Sequence, residues 1–571
     1  MTAEGKILLD KKDLLSSLLQ EQQELTVVSQ FAQKHDNHEI PVQQKYYESL
    51  IPLTMPGEGQ QFAFKVDLDR CTGCKACVTA CHNLNGLDDD ETWRQVGLLR
   101  GGNRDEAKQQ HVTSACHHCL DPACSNGCPV NAYDKDPVTG IVKHLDDQCI
   151  GCQYCILKCP YEVPQYNKRL GIVRKCDMCS SRLAVGEAPA CVQSCPTRAI
   201  SIQIVDQDKV LEESHDSTVI PGAPSSEHTQ PSTSFESKKP LSKNMLGSDY
   251  YSLKPQHSHP PLIGMLVLTQ LSVGAFCVDL LFNLIHQGEF VKSMQAYHSV
   301  VALCLGLLAL NVSIFHIGRP MYAFRAFLGL RKSWLSREIL GFSLFAGFAT
   351  VYAALFWVGH LESWTGLTLP EFVKTEGLKK FMGACVAGSG ILGIICSIMI
   401  YDDCKKELWK GSITGLKFFG TAVTLGLATI LLASIAGVYF IKPEHTESVV
   451  KIYTTTLSLL LFCSYLGKLT WEASIFRHLK DPTYSMSKRS ALLMVNHLVT
   501  ATRLRYGLGL IGGIVLPIII YIMASGQFEE KSMFFLFILS AASFLLCLAA
   551  EFCERFLFFS AVVSKKMPGG A

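Results

Sequence analysis

Beyond Pro260 the hydrophobic positions run together into eight apolar segments, roughly 261–287, 297–318, 338–359, 381–401, 413–441, 450–474, 505–523 and 532–555. Each reaches or approaches the length that crosses about 30 Å of hydrocarbon at 1.5 Å per residue. Ahead of them the apolar runs are short, and residues 62–68, 140–145 and 199–204 read as strands. Residues 206–258 are rich in Ser, Pro, His, Lys and Glu. Such a linker cannot bury enough apolar surface to order itself and takes a shape only by wrapping a neighbour. Near the start Leu14, Leu15, Leu18 and Leu19 recur at helical spacing, which predicts a short amphipathic surface helix. No export signal is expected in the first residues. The pattern divides the chain into an N-terminal extension (1–60), a strand-bearing domain (61–205), the linker (206–258), a membrane domain (259–560) and a tail (561–571).

Eight consecutive spans with basic loops between them argue against the buried helices of a soluble protein. An even number of crossings puts the linker and the tail on one side. The loops after spans two, four and six, with the tail, carry 17 Lys and Arg, Arg319, Arg505 and Arg555 among them, against 7 in the opposite loops. The positive-inside rule therefore predicts a multi-pass protein of the bacterial inner membrane with its strand-bearing domain in the cytoplasm, where thiols stay reduced. Composition agrees: 48% of residues are hydrophobic and 18% charged, where about 25% is usual for soluble domains. With 52 basic against 50 acidic residues, there is no excess of positive charge to neutralise phosphates, and nucleic acid is not an expected partner.

Of 24 cysteines, sixteen lie between Cys71 and Cys195. They form four quartets. Cys71, Cys74, Cys77 and Cys81 are spaced C-x2-C-x2-C-x3-C, and so are Cys149, Cys152, Cys155 and Cys159. Cys116, Cys119, Cys124 and Cys128 have a four-residue middle gap, and Cys176, Cys179, Cys191 and Cys195 an eleven-residue one. Three thiolates within seven residues can hold three corners of an Fe–S cube, while the fourth, often followed by proline, serves the other cube of a two-cluster fold. Zinc favours pairs of C-x2-C and does not explain two C-x2-C-x2-C-x3-C runs; disulfides do not fit a cytoplasmic domain. Sixteen ligands predict four 4Fe–4S clusters, with quartets pairing so that each lends its last cysteine to its partner. Spacing alone does not say which quartets pair. His117 and His118, inside the second quartet, are expected as exposed loop residues, with hydrogen bonding to a cluster as the alternative. The eight cysteines from Cys277 onward show no ligand spacing and read as packing residues.

Ionisable residues within spans point to function. His316 falls at the cytoplasmic end of span two, on the cluster side. A quinol releases two protons with its two electrons, and an imidazole suits the acceptance of a hydroxyl proton. Glu338 opens span three at the same level, and Asp402 and Asp403 close span four; these acids are candidate relays or plain helix-end charges. Otherwise the back half offers His286, His298, His360, His445, His478 and His497, nearly all at ends or in loops, so no haem is expected. Proton or sodium translocation would need ionisable residues deep in several spans, and the spans read as having few.

Residues 62–205, with DRCTGCKAC, CHHCLDPAC, CIGCQYCILKCPY and CDMC…CVQSCPTRA, closely resemble the four-cluster electron-transfer subunit of dimethyl sulfoxide reductase and related molybdopterin oxidoreductases. Residues 260–560 resemble the eight-helix anchor subunit of the same enzymes, chiefly at His316-Ile-Gly-Arg-Pro and Ser336-Arg337-Glu338. The resemblance implies an α+β ferredoxin-like domain, built of two pseudo-symmetric two-cluster halves, fused to an all-α eight-helix membrane bundle. It implies pairing of the first quartet with the fourth and the second with the third. It also implies quinol bound in the anchor, menaquinol being the expected species, near His316, Arg319 and Glu338, and a separate molybdopterin catalytic subunit as partner. The arginine of the family motif, six residues after the histidine, is Tyr322 here. The function expected is oxidation of quinol from the membrane pool and delivery of electrons to that subunit; the alternatives are reverse flow to quinone and an ion-translocating module.

Overall fold

A computed structural model describes residues 47–569 except 104–105, 287–288, 359–361, 364–365, 367–369, 442–446, 448 and 527–531, together with Ser16, Gln33 and Asn37. The amphipathic stretch at Leu14–Leu19 lies outside the described residues.

In the cysteine-rich domain, β1 (Gln60–Asp67) turns Phe62 and Phe64 into a core. A long hairpin follows, β2 (Gln95–Gly102) with β3 (Ala107–Ser114). Two small antiparallel ribbons come next, β4 (Tyr133–Lys135) with β5 (Val142–His144) and β6 (Gln165–Asn167) with β7 (Ile172–Arg174). β8 (Ile200–Asp206) then returns antiparallel to β1, with Phe64 opposite Ile202. The serine- and proline-rich stretch is ordered by pairing with what precedes it. β9 (Ser234–Glu236) adds parallel to β1, and β10 (Leu246–Gly247) adds to β2. From the same stretch Ile220, Ala223 and Met245 enter a core with Val66, Leu68 and Leu99. Met567 of the C-terminal segment joins the same core, and Lys566 pairs with Asp249 at 2.6 Å.

The rest is helical. Among the described residues eight helices are long and apolar enough to cross a membrane: Pro260–Ile285, Met294–Ile314, Trp334–Leu355, Glu376–Asp402, Gly411–Phe440, Val450–Lys480, Val499–Ser525 and Met533–Ser560. The first opens on two prolines, whose missing N–H groups cost nothing in a first turn. The fourth is capped by the Thr375 hydroxyl, which accepts from the Leu378 N–H at 3.4 Å. The second span stops at Ile314, before the position the apolar pattern suggested. A turn and a short helix (Pro320–Gly329) carry His316 and Arg319 along the foot of the cysteine-rich domain.

The two domains meet backbone to backbone. A Cβ added to Gly318 would lie 2.2 Å from the Gly171 carbonyl oxygen, and one added to Gly151 would lie 2.2 Å from the same atom. Around this seam the Gly329 N–H donates to the Pro129 carbonyl at 2.8 Å, the Tyr154 hydroxyl to the Ile400 carbonyl at 3.2 Å, and Lys158 pairs with Asp403. Gly318→Ala should therefore push the domains apart, costing about 1–3 kcal/mol as overpacking does. A lowered melting temperature and faster proteolysis of residues 206–258 in the detergent-solubilised protein would register it; an unchanged melting curve would contradict the seam.

Candidate functional site

The C-x2-C-x2-C loops wrap inward because their intervening residues turn left-handed at matching places, Gly73 and Lys75 in the first quartet and Gly151 and Gln153 in the third. After the last cysteine of a quartet the proline bends the chain back, so that the Ala132 and Ala199 N–H groups donate to the Sγ atoms of Cys128 and Cys195, both at 3.2 Å. The thiols' neighbours, though some reach across, place the sixteen in four groups. Cys71, Cys74 and Cys77 sit with Cys195; Cys81 sits with Cys176, Cys179 and Cys191. Cys116, Cys119 and Cys124 surround a small cavity with Cys159, and Cys128 faces Cys149, Cys152 and Cys155. The last cysteines are thus exchanged between quartets one and four and between two and three.

These groups fit iron–sulfur clusters. Burial pushes the Cys81 thiol up to about 12. Two buried cations also face the sulfurs: Arg94 lies among Cys191, Cys77, Cys176 and Cys81, and Lys175 reaches Cys116 Sγ at 3.6 Å. A buried cation needs negative charge nearby, and thiolate-bound clusters supply it. His117 and His118, expected in an exposed loop, are both buried, because the linker closes over them through Ser232, whose hydroxyl donates to the His117 carbonyl at 2.7 Å. The His118 Nδ1 accepts from the Val142 N–H at 3.1 Å. Burial holds both imidazoles well below their ordinary value.

Between the domains lies a cavity of about 280 Å³. Ile150, Cys152 and Tyr154 close it from above; His316, Glu338 and Tyr401 line it from the membrane domain. The His316 imidazole is hydrogen-bonded to the Cys152 backbone and held below its ordinary value by burial, so it is a neutral base at neutral pH. Its ring also lies 5.3 Å from that of His259. Glu338 is buried and accepts from the Ser397 hydroxyl. Arg319 stands outside this cavity. It clamps the cysteine-rich domain through the Asp146 carbonyl at 2.9 Å and the Leu170 carbonyl at 3.3 Å. Asp402 accepts from the Gly411 N–H at 2.7 Å and Asp403 from Lys158, so both tie helix ends.

The spans hold more charge than the sequence reading allowed. Arg505 and Arg555, counted above as loop charges, are buried in the bundle with Lys417, Lys468, Glu472, Glu551 and Glu554. The loops keep the same sign of asymmetry without them. His298, too, is buried within the second span, where its ring bridges Asp279 at 2.6 Å and Ser434 at 3.0 Å. The signal was present: Lys468 and Glu472, or Glu551, Glu554 and Arg555, sit three and four residues apart inside apolar runs, which on a helix puts them on one face.

Comparison with known proteins agrees with both halves. Residues 107–205 match the 4Fe-4S dicluster domain. The B subunit of the anaerobic dimethyl sulfoxide reductase of Escherichia coli (strain K12) is 39% identical over 155 residues, 26% of this chain and 75% of that protein. The hydrogenase-2 operon protein HybA of Escherichia coli O157:H7 is 37% identical over 160 residues, 24% of this chain and 49% of that protein. The formate dehydrogenase-O iron-sulfur subunit of Escherichia coli (strain K12) is 34% identical over 169 residues, 27% of this chain and 56% of that protein. Residues 256–561, more than half of the chain, match the DMSO reductase anchor subunit. The chain therefore belongs to the DMSO reductase anchor subunit (DmsC) family, a multi-pass membrane protein that carries an iron–sulfur electron-transfer domain fused ahead of its anchor.

Proposed function

We propose that this protein oxidises membrane quinol, menaquinol by expectation, in the cavity between its two domains. The electrons pass to a separate molybdopterin catalytic subunit. One observation carries the reading: a single cavity has a cluster-type cysteine, Cys152, in one wall and a neutral imidazole and a buried carboxylate, His316 and Glu338, in the other. Residues 61–205 form the cluster domain in this reading and residues 259–560 the quinol-binding anchor. The four cysteine groups described above hold four 4Fe–4S clusters, which supply one-electron carriers at potentials set by charge and hydrogen bonding to sulfur. Arg94, Lys175 and the N–H groups on Cys128 and Cys195 provide that charge and hydrogen bonding here. Cys74 is the exposed ligand of the first group and marks the surface where the catalytic subunit docks.

His316 takes one hydroxyl proton of the quinol, and Glu338, which lines the same cavity, takes the second. Arg319 supports the site indirectly, holding the His316 turn against the cluster domain. The excess of Lys and Arg on the cluster side favours a cytoplasmic orientation in a bacterial inner membrane. Reverse flow, from a substrate-oxidising partner to quinone, is a second reading, favoured by the similarity to a formate dehydrogenase subunit. Midpoint potentials of the clusters against menaquinone separate the two directions.

In the full-length protein, His316→Ala should slow quinol-dependent cluster reduction by about 10²–10⁴-fold, the usual worth of a positioned acid–base group. Reduction by dithionite should stay complete. Undiminished reduction with native quinol affinity would sink the site. Cys81→Ser should remove about four Fe per chain and alter the electron paramagnetic resonance signal of the centre held by Cys176, Cys179 and Cys191. Loss of the centre held by Cys71, Cys74 and Cys77 instead would disprove the exchange.

A further inference from the structure

A second cavity, also of about 280 Å³, opens on the cluster side of the bundle among spans five to eight. Exposed Glu407 and His478 stand at its mouth; Lys417, Glu472, Arg505 and Glu554 line its depths. The floor is an ionic layer. Lys417 Nζ meets Glu554 Oε1 at 2.7 Å, and Arg505 grips Glu472 with two hydrogen bonds of 2.9 and 3.0 Å. Arg505 also donates to Glu551 at 2.9 Å, which Lys468 pairs from the other side. Behind them Arg555 donates to Thr421 at 3.1 Å and to Gln270 at 2.9 Å.

A purely structural network of buried charges would be satisfied throughout, because an unpaired polar atom away from water is costly. This one is not. Glu554 Oε2, Arg555 Nε and Nη1 and Gln270 Nε2 are all buried and make no hydrogen bond. These atoms cluster, since Arg555 Nη2 is 3.5 Å from Glu554 Oε2. Packed side chains link them to both cavities, since Glu554 lines the second cavity. The Arg555 guanidinium packs on Phe418 at 4.1 Å and on Phe558 at 5.5 Å. Both rings touch Tyr401, at 5.8 and 5.0 Å, and Tyr401 lines the quinol cavity with Glu338. The seventh span bends around the same layer. Its wide-turn segment Ile511–Val515 brings Gly513 so close to Tyr465 that an added Cβ would lie 2.2 Å from the ring, and the Tyr465 hydroxyl donates to Glu551.

We propose that the second cavity and the ionic layer behind it are the proton exit of the quinol site. The exit rests on the quinol reading above. Oxidation of a quinol to a quinone releases two electrons, taken by the iron–sulfur domain, and two protons, one taken by His316 and passed by way of the neighbouring His259 ring to exposed His257, the other taken by Glu338. The proton accepted by Glu338 crosses past the Tyr401 hydroxyl to water held by the free N–H groups of Arg555 and Gln270. It passes to Glu554 Oε2 and from there to the cavity water and the cluster-side solution. Arg555 orders water and stays charged, since a guanidinium does not give up its proton; Glu554, whose Oε2 makes no hydrogen bond and meets Arg555 only as a 3.5 Å ion pair, is the carrier. Glu551, paired on both oxygens, anchors the layer.

The test uses the full-length protein in liposomes, with menadiol added to oxidised protein and a pH-sensitive dye on the cluster side. Glu554→Gln should slow menadiol-dependent cluster reduction and dye-detected proton release together by about tenfold or more, without changing menadiol affinity or dithionite reduction. Added azide, a small weak acid that enters the cavity, should restore much of the rate. Ser474→Trp fills the cavity from its wall while leaving every charge in place, and should slow release in the same way without rescue. Parent rates in both variants would overturn the exit while leaving the quinol site intact. Failure of menadiol to reduce the unaltered protein would overturn the quinol reading itself, and the exit with it.

Discussion

The contact on which the arrangement depends is the seam at Gly151, Gly171 and Gly318. Two peptide backbones touch there with no side chain between them. A Cβ on either side would hold the domains apart, and the cavity roofed by Cys152 and walled by His316 and Glu338 would lose its closure. The C-x2-C-x2-C loop places Gly151 between two ligands-to-be, so the local geometry that wraps a cluster also presents a flat, side-chain-free surface for docking. Around it Arg319, Tyr154, Lys158 and Ser333 bond across the boundary, three of them to main-chain carbonyls. Backbone acceptors are fixed in space, which makes such bonds good positioning devices.

Charge is handled differently in the two domains. In the cluster domain Arg94 and Lys175 are buried, form no salt bridge among the described residues, and face cysteine sulfur. Metal-bound thiolates would balance these cations. The membrane domain carries its balance internally, in the ionic layer of spans five to eight. Desolvating seven ionisable groups is expensive, and four polar atoms in and beside the layer make no hydrogen bond.

The linker and the tail also change meaning in three dimensions. Neither has the apolar content to fold alone, yet β9, β10 and Met567 complete sheets and a core begun by residues far earlier in the chain. Ser232 closes over His117 from the same stretch. The connection between domains is therefore part of the cluster domain's wall, which a composition-based reading has no means to detect because its partners are distant in sequence.

What could be read from the sequence followed from local rules. Ligand spacing is a property of a few consecutive residues, so all four quartets were legible; span length is a property of one helix, so all eight helices were legible within several residues at each end. His316 and Glu338 stood out because an ionisable residue at a span end is conspicuous, and both line one cavity. Tertiary structure alone decided which groups meet. It turned Arg319 from the cavity to the domain seam, buried His117, His118, Arg505 and Arg555, brought Cys152 against His316, and joined Lys417 to Glu554 across 137 residues of chain. Those outcomes depend on how helices rotate and pack against one another, and a residue's neighbours across a helix interface are not encoded by its neighbours along the chain.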